Sequence, residues 1–177
     1  MHELQPPRAY KTAFVCGAFG LGSTRAQDLQ ALDRLYDVLE PGGTLVLDNE
    51  VPYANPRQWA HWPKGDVRSE LPRPWREPEE RRKGSDGNDY ALVSRMVELD
   101  PLEQRAVLEM RAYMWRNDHL LAEEEHAITI NLYFRNELLL MLERAGFVDV
   151  LVHGDHKEQE PTPDHDFLVF VARKPAT

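Results

Sequence analysis

From Tyr10 to Asn49 the chain reads YKTAFVCGAFGLGSTRAQDLQALDRLYDVLEPGGTLVLDN, and the order of its parts leaves few folds open. Thr12 to Cys16 is a short β-prone apolar run, and Gly17, Gly20 and Gly22 then supply bare backbone that a ligand can approach closely. Thr24, with Gln27 three residues on, forms the pattern of a capping box, and Leu29, Leu32, Leu35, Tyr36 and Leu39 line one face of the helix that follows. Glu40-Pro41-Gly42-Gly43 predicts the end of that helix, and Thr44 to Leu47 a second strand closed by Asp48. A right-handed crossover makes the two strands parallel and lays the helix on their sheet.

The rest of the chain limits what such a unit can serve. A length of 177 residues, 42% hydrophobic and 29% charged, predicts one globular domain. A net charge of -9 argues against nucleic acid as a direct partner, because that affinity rests on Lys and Arg neutralising phosphates. No long apolar span or signal core is visible, so no membrane association is expected. A single cysteine, Cys16, excludes an internal disulfide, and a cytoplasmic location is expected. Pro6-Pro7 predicts a stiff, extended entry into the first strand.

Pro63 to Asp89 is rich in proline, glycine and charge and predicts a mobile surface excursion, with Arg81-Arg82-Lys83 as part of a solvated loop. Three alternating segments follow, Tyr90 to Leu99, Gln104 to Arg116 and Glu123 to Phe134, separated by turn-forming Asp100-Pro101 and Asn117-Asp118-His119. They predict an antiparallel meander. In its middle strand Ala106, Leu108, Met110, Ala112 and Met114 share a face expected to be core, and Arg105, Val107, Glu109, Arg111, Tyr113 and Trp115 share a partly polar one. Asn136 to Ala145 is a short helix with Leu138, Leu139 and Leu142 inward, and Val148 to His153 and Phe167 to Arg173 are two further strands.

Several chemistries compete for these residues. The loop G-A-F-G-L-G with Asp48 ending the next strand imitates a dinucleotide turn and its ribose carboxylate, but its spacing is G-x-x-G-x-G and no further βαβ units follow. His153, Asp155 and His156, with Glu158, Glu160 and His165 beyond, are ligand types for zinc or iron, yet no second ligand pair at a typical spacing accompanies them, and no metal is expected. No G-x-S-x-G elbow supports a serine hydrolase, and Cys16 has no base beside it in sequence. Glu50, Tyr53, Trp59, His61 and Trp62 lie just past the carboxyl end of a parallel strand, where open α/β sheets bind ligands. Packing of these aromatics onto the core accounts for them equally well.

Three stretches carry a resemblance: TAFVCGAFG, LYDVLEPGGTLVLDNEVPY, and NELLLMLERAGFVDVLVHGD followed by FLVFVARK. Together they resemble the C-terminal part of a class I S-adenosylmethionine-dependent methyltransferase of the small-molecule type. In that family an L-x-P-G-G-x-L-V turn leads into the fifth strand, matched by Leu39 to Val46, and an L-L-x-x-A-G-F turn leaves the last helix, matched around Leu142 to Phe147. The resemblance implies an α/β fold: a partial Rossmann-like methyltransferase sheet of the fourth to seventh strands with an inserted antiparallel β-meander. Residues 1–62 and 135–177 would form the core, 63–89 the excursion and 90–134 the insertion.

The resemblance further implies S-adenosylmethionine as cofactor, facing Gly17, Ala18 and Phe19, with a substrate pocket drawn from Glu50, Tyr53, Trp59, Trp62 and Arg111. Glu50, His61 and His156 are the candidate catalytic bases. The family's glycine-rich first turn, the acid ending its second strand and its adenine-side acid are not found in this sequence, so the chain alone is expected to be inactive and to bind the cofactor weakly or not at all. A non-catalytic, methyltransferase-like interaction or ligand-binding protein is the alternative. The strand Thr12 to Cys16 is expected to present an unpaired edge, which predicts a homodimer or a partner chain there.

Overall fold

The computed structural model describes residues 1–4 and 7–176, so the expected stiff entry at Pro6-Pro7 lies partly outside the described residues. In chain order the elements are β1 (Tyr10–Val15), α1 (Arg25–Asp37), β2 (Leu39–Glu50), α2 (Pro56–Trp59), a 3-10 turn (Asp66–Glu70), β3 (Arg82–Lys83), β4 (Asp89–Asp100), β5 (Arg105–Arg116), β6 (His119–Asn131), α3 (Arg135–Arg144), β7 (Val148–Gly154) and β8 (Phe167–Arg173). They fall into two compact units, residues 1–60 with 131–177, and residues 61–130.

The first unit is built on a four-stranded sheet in the order β1-β2-β8-β7. β1 and β2 are parallel, and β8 runs antiparallel to both β2 and β7. The partial methyltransferase-type sheet expected from the resemblance is therefore present. Residues paired across the ladders share a face. One face carries Val15, Leu45, Leu47, Leu168, Phe170 and Ala172, which pack with Leu32 and Leu35 of α1 and Leu138 and Leu142 of α3 into one core. On the other face Phe14 is 74% exposed and Leu151 60% exposed, with Val46, Val169 and Val171 half-buried between them.

α1 begins as expected. Thr24 accepts the N–H of Gln27 and the Gln27 side chain accepts the N–H of Thr24, a complete capping box. Its end differs from expectation: the helix stops at Asp37 and Leu39 opens β2 instead of closing the helical face. The reason is a long-range pairing. Leu39 stands opposite Tyr10, and Glu40 to Gly43 are absorbed as an irregularity before Thr44 pairs with Thr12.

The second unit holds the expected meander as a four-stranded sheet, β3-β4-β5-β6. β6 starts and ends earlier than the spacing predicts, because Asn117 and Asp118 alone make the turn, with φ of 48° and 63°. The expected division of β5 into a core face and a polar face does not hold: Ala106 and Trp115, which point to opposite faces, are both buried, while most positions between them are half-buried. The excursion is tied down in part. Trp75 lies under two guanidinium groups, Arg95 at 4.5 Å and Arg111 at 4.2 Å from its ring centre, and the Arg73 N–H donates to the carbonyl of Met96 at 2.9 Å. Arg81 likewise sits 4.2 Å above Trp115 and pairs with Asp118.

Candidate active site

Because β1, β2 and β7 run in the same direction, their carboxyl ends meet at one end of the first unit's sheet. Asp48, Val169 and His153 stand in one row across β2, β8 and β7, on the face away from α1 and α3. Asp48 is only 8% exposed, and its oxygens draw in three groups. The Gly17 N–H donates to Oδ1 at 2.6 Å, the Cys16 thiol donates to Oδ2 at 3.2 Å, and His156 Nε2 lies 3.0 Å from Oδ2. Burial alone would push the pKa of Asp48 up, but the Gly17 amide, His156 and Cys16 outweigh it and hold the carboxyl below its usual range. The same contact raises Cys16, whose thiol is kept protonated by its hydrogen bond to Asp48 and by that negative charge.

His156 reaches Asp48 from the turn between β7 and β8. Asp155 and His156 both adopt left-handed backbone, φ of 49° and 56°, with the Lys157 N–H closing the turn on Gly154. The Asp155 carboxylate accepts the N–H groups of Asp166 and Phe167, which fixes the turn to the start of β8. The imidazole lies 5.3 Å from the Phe167 ring and borders a cleft of about 420 Å³ lined by His153, His156, Lys157, Glu158 and Val169.

The expected cofactor turn divides. Gly17 has φ +58° and open space where a Cβ would stand, and Gly17 and Ala18 are exposed. Phe19 is 7% exposed and packs on Tyr133 with ring centres 5.3 Å apart, within the core. The loop behind it is pinned. A Cβ on Gly20 would stand 2.7 Å from the carbonyl of Asn131, and the Gly20 carbonyl accepts the Asn131 N–H at 2.9 Å. Beneath it lies a buried polar network that sequence spacing did not point to, in which Ser23, Asn131 and Tyr133 all donate to Asp28. Burial and the bond to Asp28 push the Tyr133 hydroxyl far up, and Arg25, over the Tyr133 ring, pairs with Glu137.

The other expected site residues are placed as follows. Glu50 ends β2, exposed, with its carboxyl raised by partial desolvation and by nearby Asp166. Tyr53 and Trp59 meet edge to face, 6.0 Å apart, and Tyr53 borders a cleft of about 530 Å³ with Arg135, Glu160 and Leu168 among its walls. His61, Trp62 and Arg111 belong to the second unit. His61 is buried there with its Nε2 3.2 Å from an Arg73 nitrogen, and Trp62 lends its carbonyl to Arg68. Arg111 is held by Glu123 and Glu125 and rests on Trp75. Of the candidate metal ligands, Asp155 anchors its turn, and His165 accepts the Thr162 N–H and faces Gln159.

No family model matches the chain, and no curated protein matches it at a significant level. Solved structures do. An S-adenosylmethionine-dependent methyltransferase from Clostridium acetobutylicum aligns over 98% of this chain and 62% of its own, with a TM-score of 0.67 at 9% identity. The sugar N-methyltransferase KedS8 from Streptoalloteichus aligns over 98% and 60%, with a TM-score of 0.63 at 15% identity. CalS10, described as an amino pentose methyltransferase from Micromonospora echinaspora with S-adenosylmethionine bound, aligns over 98% and 61%, with a TM-score of 0.57 at 16% identity. The fold is that of the C-terminal part of a class I S-adenosylmethionine-dependent methyltransferase. The chain spans about three-fifths of the length of these methyltransferases. Within this methyltransferase fold, β1, β2, β7 and β8 correspond to the fourth, fifth, sixth and seventh strands. Among the described residues no helix is long and apolar enough to cross a membrane.

Proposed function

We propose that the chain provides the acceptor side of a small-molecule methyltransferase, with a single wall of the cofactor site. The observation that carries this reading is the open turn Cys16 to Ala18, set beside ionised Asp48 at the carboxyl end of a methyltransferase-type sheet. These residues fit the sulfonium end of S-adenosylmethionine: the backbone is bare at Gly17 and the neighbouring carboxylate favours a cation. Phe19, turned into the core, does not fit that role. When bound, S-adenosylmethionine supplies an electrophilic methyl group. This chain's residues orient the acceptor and hold its proton.

An amine is the proposed acceptor group, supported by two of the aligned structures being described as amino pentose and sugar N-methyltransferases. The same reading keeps β1 as an edge that takes a second copy or a partner chain, supported by the exposure of Phe14 beside it. A cytoplasmic location is supported by the lone Cys16 thiol.

The test is chemical-shift mapping with millimolar S-adenosylhomocysteine. Shifts centred on the amides of Cys16, Gly17 and Ala18 are expected. Absence of any shift there, with the fold intact, overturns the reading in favour of the non-catalytic alternative, which gains its own support from the commitment of the Gly17 N–H to Asp48.

A further inference from the structure

The geometry points to His156, oriented by Asp48, as the catalytic base that receives a proton from an amine acceptor seated in the cleft of His153, His156, Lys157, Glu158 and Val169. The inference rests on the methyl-transfer reading above, and it selects His156 over Glu50 and His61. His61 is buried with its Nε2 against Arg73, and Glu50 is exposed beside the like-charged Asp166. His156 alone combines a half-exposed ring, a buried carboxylate partner at 3.0 Å and a cleft in front of it.

The nitrogen that does the work follows from the partner. Asp48 is held ionised and accepts from Gly17 and Cys16, so its bond with His156 requires Nε2 to carry the hydrogen. Nδ1 is then left with its lone pair. The left-handed backbone at His156 is uncommon for a residue with a side chain, and it is what turns the imidazole back onto Asp48 from a hairpin turn. Lys157 and Glu158 line the same cleft, with His153 beside them, and Asp155 holds the turn that carries the imidazole.

In the step proposed, an ammonium N–H bond of the acceptor breaks, its electron pair stays on the acceptor nitrogen, and the proton binds Nδ1. The nitrogen becomes a neutral amine with a nucleophilic lone pair, and the imidazolium is balanced by Asp48. Asp48 is a positioning residue in this arrangement.

Nitrogen-15 NMR of the imidazole in the full chain tests it without methyl transfer. The expected result is the Nε2–H tautomer in excess of about tenfold, as a hydrogen bond to a charged group confers. Millimolar glucosamine is expected to move the Nδ1 resonance, and glucose to leave it in place. Asp48→Asn is expected to bring the two tautomers toward equal populations. An Nδ1–H tautomer in the wild-type chain, or equal responses to glucosamine and glucose, overturns the assignment even if the asparagine variant fails to fold. Should the tautomer and amine response hold while S-adenosylhomocysteine leaves Cys16 to Ala18 unmoved, the dyad stands as an amine site and the methyl-transfer reading falls.

Discussion

Asp48 gathers an amide, a thiol and an imidazole from residues 31, 32 and 108 positions away in the chain. Its carboxyl is held below the usual range in the folded chain, so the sign of its contribution follows directly. The stabilisation is complete above the ordinary carboxylate range, about pH 4, and is lost as the pH falls through the lower folded value. Asp48→Asn is expected to cost about 1–3 kcal/mol at pH 7. Urea unfolding across pH should show the gap between variant and wild type closing as the pH falls below the ordinary carboxylate range; a gap that is constant with pH contradicts the account. From sequence, Asp48 was legible as the acid that closes a strand and imitates a ribose carboxylate, but without its partners. Its partners come from a turn and a distant hairpin, and no spacing rule joins them. Asp28 was hidden for the same reason, since Asn131 and Tyr133 reach it from more than a hundred residues away.

Local grammar predicted elements well where local bonds decide them. The capping box of α1 is satisfied within four residues of chain, Thr24 to Gln27, and its start was read correctly. Its end was not, because Leu39 is claimed by Tyr10 across the sheet. The excursion was read as mobile from its lack of apolar residues, whereas Trp75 fastens it through Arg95 and Arg111, contacts a composition argument does not count. Trp75→Ala is expected to weaken this attachment by about 1–2 kcal/mol. The Arg73 amide should then exchange with solvent roughly tenfold faster, while amides of β1 and β2 keep their rates; unchanged exchange at Arg73 contradicts the strap. At the edge strand β1, Val15 points into the core and is 5% exposed, so Phe14 is the side chain that reports on association. Phe14→Lys is expected to convert a self-associated chain to monomer in light scattering. A wild-type chain that is already a stable monomer contradicts self-association at this edge.

At the scale of the whole molecule, the resemblance located the sheet, the last helix and the closing strands, because those segments carry strong turn and periodicity signals. It named His156 without its partner Asp48, and it set Phe19 facing the cofactor, whereas the Phe19 ring packs against Tyr133. Under the proposed function, this chain bears one wall of a cofactor site, the turn Cys16 to Ala18 beside Asp48, and a separate proton-accepting group, His156, at the same end of the sheet. Such a wall binds weakly, since neither the buried Phe19 nor the Gly17 N–H, already taken by Asp48, is free to hold a ligand. Calorimetric titration of S-adenosylmethionine into the chain of residues 1–177 measures this most directly. A dissociation constant weaker than about ten micromolar, roughly 7 kcal/mol of binding or less, is the predicted result, and a tighter one would contradict the account by showing a complete cofactor site within this chain.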